Sequence, residues 1–471
     1  MDKREELKDI IPEKNYNGNF VTRARYPHVF EEGLSKSVVE EISEIKKEPE
    51  WMKRFRLRAL EIFNSKPIPK WGPPLDLDFN KIRYYVLPDE VKARRWEDLP
   101  QEIRETYERL GLPEMEKKYL SGSVAVLDSE GVYANIKKQL QEKGVIYLDT
   151  DSALQKYPDL FKEYFMNIVP VGDNKFSALN GAVWSGGSFI YVPENVHVDL
   201  PLMTYFRMNL QSEGQFEHTI IIAEKNSSVS YIEGCTAPIY NTSSLHSAVV
   251  EVYVKENAKV RFTTVQNWSH DIYNLNTERA RVEKNGKMEW VGGSLGSKVT
   301  MLYPSSYLVG EGASASHLTI ALASENTWKD NGAKVLHLAP NTSSKVISKS
   351  ISMKGGVSVY RGLIRIPKGA YNAKSHVQCD ALILDENSKN FTYPHNEVYE
   401  ETSTLTHEAS AGKIGEEQLF YIMSRGLTED QARSMIVLGF LDDVLKEIPL
   451  EFSLELNRLI KLQLERYGGT G

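Results

Sequence analysis

Cysteine is scarce in this sequence. Across 471 residues there are two, Cys235 and Cys379, separated by 144 positions. With no CxxC pair and no local Cys/His cluster, a four-thiolate zinc site and a self-contained ferredoxin-type cluster are excluded by count. Long apolar runs are missing as well: no stretch of 18 or more apolar residues offers a membrane span. The opening segment MDKREELKDIIPEKN is charged and lacks the apolar heart of a secretory signal. A cytoplasmic location is therefore expected, where two thiols stay reduced. Positive charge is not in excess either. The formal net charge is -7 and the pI about 5.9, a poor basis for binding nucleic acid or anionic membranes. Nucleotide and hydrolase signatures are also lacking. GGSLGSKVT at 292–300 lacks the Gly-Lys-Ser/Thr of a phosphate-binding loop, and there is no GxSxG or HExxH. If ATP takes part, another chain binds it.

What is present is a change of texture along the chain. Composition is ordinary for a globular protein, 41% hydrophobic and 26% charged. Residues 1–174 read as mostly helical. Val38, Val39, Ile42 and Ile45 form one stripe at helical spacing, with Ser37 and Glu40 as a capping box. A second helix runs from about Trp51 to Phe63, before the proline-rich KPIPKWGPP, and a third follows Pro100. Two short ones are expected near 131–143 and 152–165.

Residues 175–404 read as strands. Short β-branched and aromatic segments alternate with Asn, Gly and Ser turns. An apolar-x-apolar unit ending in Asn or Gly recurs at Asn195, Asn226, Asn257, Gly286, Gly312, Asn341 and Gly369, at intervals of 31, 31, 29, 26, 29 and 28 residues. A near-constant period of this size marks a solenoid, and strand-only repeats make it a β-helix. Asn and Gly suit the corners because they tolerate left-handed backbone angles. Residues 405–471 turn helical again, with a Thr428/Gln431 capping box and a final helix at about 452–467 carrying Leu456, Leu459, Ile460 and Gln463.

Read residue by residue, the chemistry is sparse. Asp380 raises rather than lowers the pKa of its neighbour Cys379. His407 and Glu408, adjacent on a strand, point to opposite faces and bind one metal only if the strand bends or ends there. His376 lies an odd three positions from Cys379, so it too faces the other way; His395 is near only in sequence. His246, His317 and His337 form no cluster.

Several longer motifs together resemble a known family. They include GLSKSVVEEISEIKKEPEWM, NGAVWSGGSFIYVP, YIEGCTAPIY, VQNWSHDIYNL, QCDALILDE and HEASAGKIGEEQLFYIMSRGLTEDQARSMIVLGF. The pattern is similar to the SufB branch of the SufB/SufD family of the SUF iron–sulfur cluster assembly system, over about residues 30–465. The resemblance implies a mainly β chain, a right-handed parallel β-helix flanked by helical domains. It implies a scaffold rather than an enzyme, carrying a transient iron–sulfur cluster. Its implied partners are a SufC-type ATPase docked on the C-terminal helices, a SufD-type paralogue or a second copy joined end to end, SufS/SufE-type sulfur donors, and acceptor apoproteins. By the same resemblance Cys235 accepts sulfur, Cys379 and Glu408 bind the cluster metal with His407 beside them, and Arg207, Asn209, Gln266 and Trp268 line an internal path between the thiols. Glu278 departs from relatives that carry Lys there. Flavin is associated with such complexes, yet no dinucleotide motif supports it here. Five coils at roughly 4.8 Å each would part the thiols by about 24 Å. Two other readings compete: a β-helix carbohydrate lyase or hydrolase, which lacks its cluster of carboxylates in these repeats, and a module that only positions an ATPase.

Overall fold

The computed structural model describes residues 20–22, 24–88, 93–240 and 242–446, with 456, 458–461 and 464. The charged opening segment, Gln463 and the ends of the last helix lie outside them. Strand accounts for 40% and helix for 25%, and the core is a β-solenoid of about eight turns.

Two sheets form its walls, one of ten strands and one of twelve. Within the solenoid every neighbouring pair is parallel and in register, as in Ser228–Thr236 beside Lys259–Trp268, or Ser343–Ser352 beside Lys374–Ile383. Side chains alternate across each strand. Val229, Tyr231, Cys235, Phe262, Trp268, Trp290, Val346, Val377 and Cys379 face one shared interior core. The intervening residues of the ten-stranded sheet, such as Val265, Val291, Leu318 and Ile320, face outward beneath flanking segments.

The corners explain the period. Asn195, Asn226, Asn257, Asn285, Asn341 and Asn372 all adopt φ between 54 and 60°, a region that Asn enters more readily than other residues with a β-carbon. Their side chains form a ladder. Asn226 Nδ2 donates to Asn195 Oδ1 (2.9 Å), Asn257 to Asn226 (2.9 Å) and Asn285 to Asn257 (3.2 Å). Asn341 donates to Glu311 Oε1 (3.0 Å), and Asn372 to Asn341 (3.2 Å). The sequence spacing chose Gly286 and Gly369 as pivots; the ladder runs instead through Asn285 and Asn372, because a side-chain amide can both donate and accept between coils and glycine has no side chain to do either.

The two ends differ. At the start, Glu130–Ile136 and Ile146–Asp149 pair antiparallel with Gly122–Leu127 and Ser188–Val192 and close both sheets. At the finish, Lys389–Val398 and Thr404–Lys413 are terminal strands of the two sheets and are largely exposed.

Several expectations are corrected. The region near 131–143 is a strand to Ile136 and only then a helix, Lys138–Glu142; the sheet edge recruits it. Lys175–Val183, expected as strand, is a helix buried along its length, packed on the helix Glu50–Ser65. The first long helix is capped by Ser35, whose Oγ accepts from Val38 N, not by Ser37. Residues 404–413 are still strand, so helices resume at Glu416 rather than 405. The Thr428/Gln431 capping box is present.

The helical region is tied down by buried charge. Arg56 pairs with Glu48 (2.6 Å), donates to the Ala182 and Trp184 carbonyls and stacks on the Trp184 ring. Glu251 accepts from the amides of Met166, Ile168 and Val169.

The ladder yields a stability prediction. Asn257→Val, which loses both the left-handed preference and two ladder bonds, should cost about 2 kcal/mol. Asn257→Gly keeps the backbone freedom and should cost less than about 1 kcal/mol. Urea unfolding midpoints check this; equal losses would show that the corner conformation carries no weight.

Candidate functional site

Both thiols point into the solenoid. Cys235 is at the end of Ser228–Thr236, paired with Phe206 on one side and Gln266 on the other. It is 1% exposed. Glu233, two residues earlier on the same face, lies 3.7 Å from its sulfur. Glu217 completes a group whose ligand atoms lie within 4.8 Å of one another. Glu278 also faces inward, from the register position of Val250 on the opposite sheet. His246 Nε2 contacts Glu217, and its Nδ1 is 2.6 Å from Asn274 Oδ1. Asn274 in turn donates to Gln266, and Trp268 packs its ring 4.5 Å from that of His246. Burial, with Glu233 and Glu217 next to it, pushes the Cys235 thiol well above its ordinary pKa. Burial and Glu217 push the Glu278 carboxyl up to about 8.

Cys379 lies at the other end, on the last but one strand of the ten-stranded sheet. Its sulfur is 3.6 Å from His407 Nε2. His407 is the register mate of inward-facing Val377, which places its ring inside. Burial pushes the Cys379 thiol up to about 12; the Tyr360 hydroxyl acts the other way, and Asp380 adds to the rise.

Five strand steps separate the thiols, about 24 Å at the usual strand spacing. Register links them. Glu233 stacks on Thr264, Gly292, Thr319, Ser348 and then Cys379. Cys235 stacks on Gln266, Ser294, Ala321, Ser350 and Ala381. The inner face of the ten-stranded sheet thus carries two rows of small and polar side chains from one thiol site to the other. Across from them lie Thr300, 3.3 Å from Ser294; buried Lys329, which donates to Ser297; and Ser358, 2.7 Å from Ser352.

Sequence comparison places this arrangement in a family. Residues 206–440 match the family described as "SUF system FeS cluster assembly, SufBD core domain", and 98–203 match "SufBD protein N-terminal region". The chain belongs to the SufBD family. Relatives described as "Iron-sulfur cluster assembly SufBD family protein" share 55% identity in Staphylococcus epidermidis and in Staphylococcus haemolyticus. One in Staphylococcus aureus shares 54%. Each alignment covers 92% of this chain and 94% of the relative. The protein is thus a SufBD-family component of iron–sulfur cluster assembly.

Within this SufBD chain the residues expected at the site separate into two groups. Gln266 and Trp268 are inside, beside Cys235. Arg207 and Asn209 are not. Arg207 is the register mate of Thr236, on the outer face, where it donates to Thr236 Oγ1 (3.0 Å) and lies over the Phe20 ring. Asn209 bonds the Thr22 backbone and the Tyr26 hydroxyl. Strand alternation puts Arg207, and these hydrogen bonds put Asn209, under the N-terminal segment, which corrects their place on an internal path. Glu408 is corrected likewise. It is the register mate of Gln378, on the outer face of an exposed strand, whereas Cys379 and His407 are inside. A shared metal between Cys379 and Glu408 within this chain does not fit that alternation. His376 is outside, bonded to Thr406, and His395 is exposed beside Glu397.

Residue-by-residue reading missed Glu217, Glu233, His246 and Lys329. Glu233 was detectable as Cys235 minus two; the others need the coil register. No helix among the described residues is long and apolar enough to cross a membrane.

The raised Cys379 pKa predicts slow chemistry in the isolated chain. At pH 8 its alkylation by iodoacetamide should be at least about 100-fold slower folded than in urea, since the free thiol titrates near 8.5. The rate should climb with pH toward 12. Mass-mapped labelling measures it, and equal folded and unfolded rates would contradict the burial.

Proposed function

We propose that this SufBD protein is a SufB-type scaffold. It accepts sulfur at Cys235, assembles a cluster at Cys379 and His407, and hands it to acceptor apoproteins without being an enzyme itself. The observation that carries this reading is the stacking of the two thiols on two continuous inner rows in a chain of this family. Hydroxyl groups of Thr264, Ser294, Thr319, Ser348 and Ser350 are hydrogen-bond donors suited to a small sulfur species moving between the sites. Two side chains cannot complete a cluster. The remaining ligands come from a partner at the open end, where Cys379 and His407 are one or no strands from the edge. Such an edge carries backbone groups that a further strand can pair. A SufD-type paralogue or a second copy would join there.

A SufC-type ATPase would dock on the helices after Glu416. Phe420 and Met435 are 74% and 59% exposed, more apolar surface than those helices need for their own packing. Leu419 is buried, and Val437, Leu441 and Val444 cover the outer face of the ten-stranded sheet. Those helices are therefore part of the fold, and point substitutions test docking better than truncation. SufS/SufE-type donors would supply the sulfur in the cytoplasm.

The test is co-purification with the SufC-type ATPase under anaerobic reconstitution, measuring iron, sulfide and subunit ratio. Cys379→Ala should lose at least about nine-tenths of the iron and sulfide yet keep the ATPase. Phe420→Ser with Met435→Ser should lose the ATPase yet keep the fold. Normal iron and sulfide in Cys379→Ala would refute the assignment.

A further inference from the structure

The surroundings of Cys235 are unusual for a sulfur acceptor. Thiolates react and thiols do not, yet this thiol is grouped with two carboxyl groups, Glu217 and Glu233, and a third, Glu278, faces inward from the opposite sheet. Glu217 and Glu233 are 0% exposed and Glu278 2%. Glu217 Oε2, Glu233 Oε2 and Glu278 Oε1 are buried with no hydrogen-bond partner. Burying one carboxylate oxygen unpaired costs several kcal/mol at the order-of-magnitude level; two grouped with a buried thiol, with Glu278 on the facing sheet, call for a cation or for protons.

The hydrogen-bond network narrows the choice. The Asn274 amide is committed to Gln266, so Asn274 presents its oxygen to His246 Nδ1. Nδ1 is then the donor, and one proton is shared between His246 Nε2 and Glu217. That pair is balanced within itself and leaves Glu233, Glu278 and Cys235 without a counter-charge. Lys329, the buried lysine on the facing sheet, is bonded to Ser297 two coils further along.

We propose that Glu217, Glu233 and Cys235 form a binding site for a divalent transition-metal ion, held beside the sulfur-accepting thiol and separate from Cys379. One thiolate and two carboxylates favour Fe(II), Zn(II) or Co(II) over Mg(II) or Ca(II). With donor atoms no more than 4.8 Å apart, an ion at their centre lies about 2.8 Å from each or closer; contraction by roughly half an ångström reaches bonding distance. Binding displaces the protons of the Cys235 thiol and the Glu233 carboxyl to solvent and changes no oxidation state. It turns Cys235 into a metal thiolate, because a coordinated thiol is deprotonated outright. That the ion is Fe(II) in the cell rests on the assembly role proposed above; the existence of the site does not.

The experiment is an anaerobic titration of the metal-free full-length chain with Co(II). A 1:1 complex with a near-ultraviolet sulfur-to-cobalt band is expected. The band should vanish in Cys235→Ser, affinity should fall at least tenfold in Glu233→Gln, and Cys379→Ala should leave both unchanged. Fe(II) should compete for the site. X-ray absorption of the wild-type complex, which depends on no variant folding, should show one sulfur at about 2.3 Å with oxygen neighbours. No band, a band that follows Cys379 instead, or a coordination sphere without sulfur overturns the proposal. Loss of Co(II) binding with cluster assembly intact removes this site alone, whereas normal iron and sulfide in Cys379→Ala removes the scaffold assignment alone.

Discussion

In-register parallel stacking is the constraint on which the rest of the structure depends. Once consecutive coils stack residue over residue, a side chain's face and column are fixed by counting from any neighbour. A shift of one residue would move a whole strand's inner set outside. The Asn ladder helps hold that register at one corner, and the aromatic column Tyr231, Phe262 and Trp290 helps hold it inside. Stacking also makes the interior a one-dimensional space. A residue near one end reaches the other only along its column, which is how two thiols far apart in sequence share one lined interior.

The interior is chemically graded. Near Cys235 it is fully buried and lined by carboxyl groups, and burial pushes the Cys235 thiol and the Glu233 carboxyl well above their ordinary pKa values. Midway it carries hydroxyls and one buried lysine. At Cys379 it opens toward an edge where His407 lies on a half-exposed strand. Desolvation moves the buried groups from their ordinary pKa values: the Cys235 and Cys379 thiols and the Glu278 carboxyl rise, and the Lys329 amine falls. The closed start and bare finish follow from the same geometry. Antiparallel strands cover one end, while among the described residues no strand pairs beyond Lys389–Val398 and Thr404–Lys413 at the other.

Much of this was legible in the sequence. The repeat period, the Asn and Gly corners, the Thr428 cap and the opposite faces of His407 and Glu408 all follow from local rules. What escaped depends on register between distant segments. Asn285 and Asn372, not Gly286 and Gly369, form the ladder, which a count of recurring motifs cannot distinguish. The strand Glu130–Ile136 is chosen by the sheet edge it covers. Arg207 and Asn209 sit within one strand pairing of Cys235 but on the wrong side of the wall, a parity that a motif match does not encode. Glu217 and His246 meet only because adjacent coils place them together.

The central claim is that sulfur moves inside the solenoid from Cys235 to Cys379. The most direct measurement loads Cys235 with labelled sulfane sulfur from a persulfide donor, adds thiol reductant and Fe(II), and follows the label into the cluster. Thr319→Leu places a larger apolar side chain in the inner row halfway between the thiols. The account predicts unchanged loading at Cys235 and at least tenfold slower incorporation at Cys379. Unchanged incorporation in that variant would contradict it and place the sulfur route outside the solenoid.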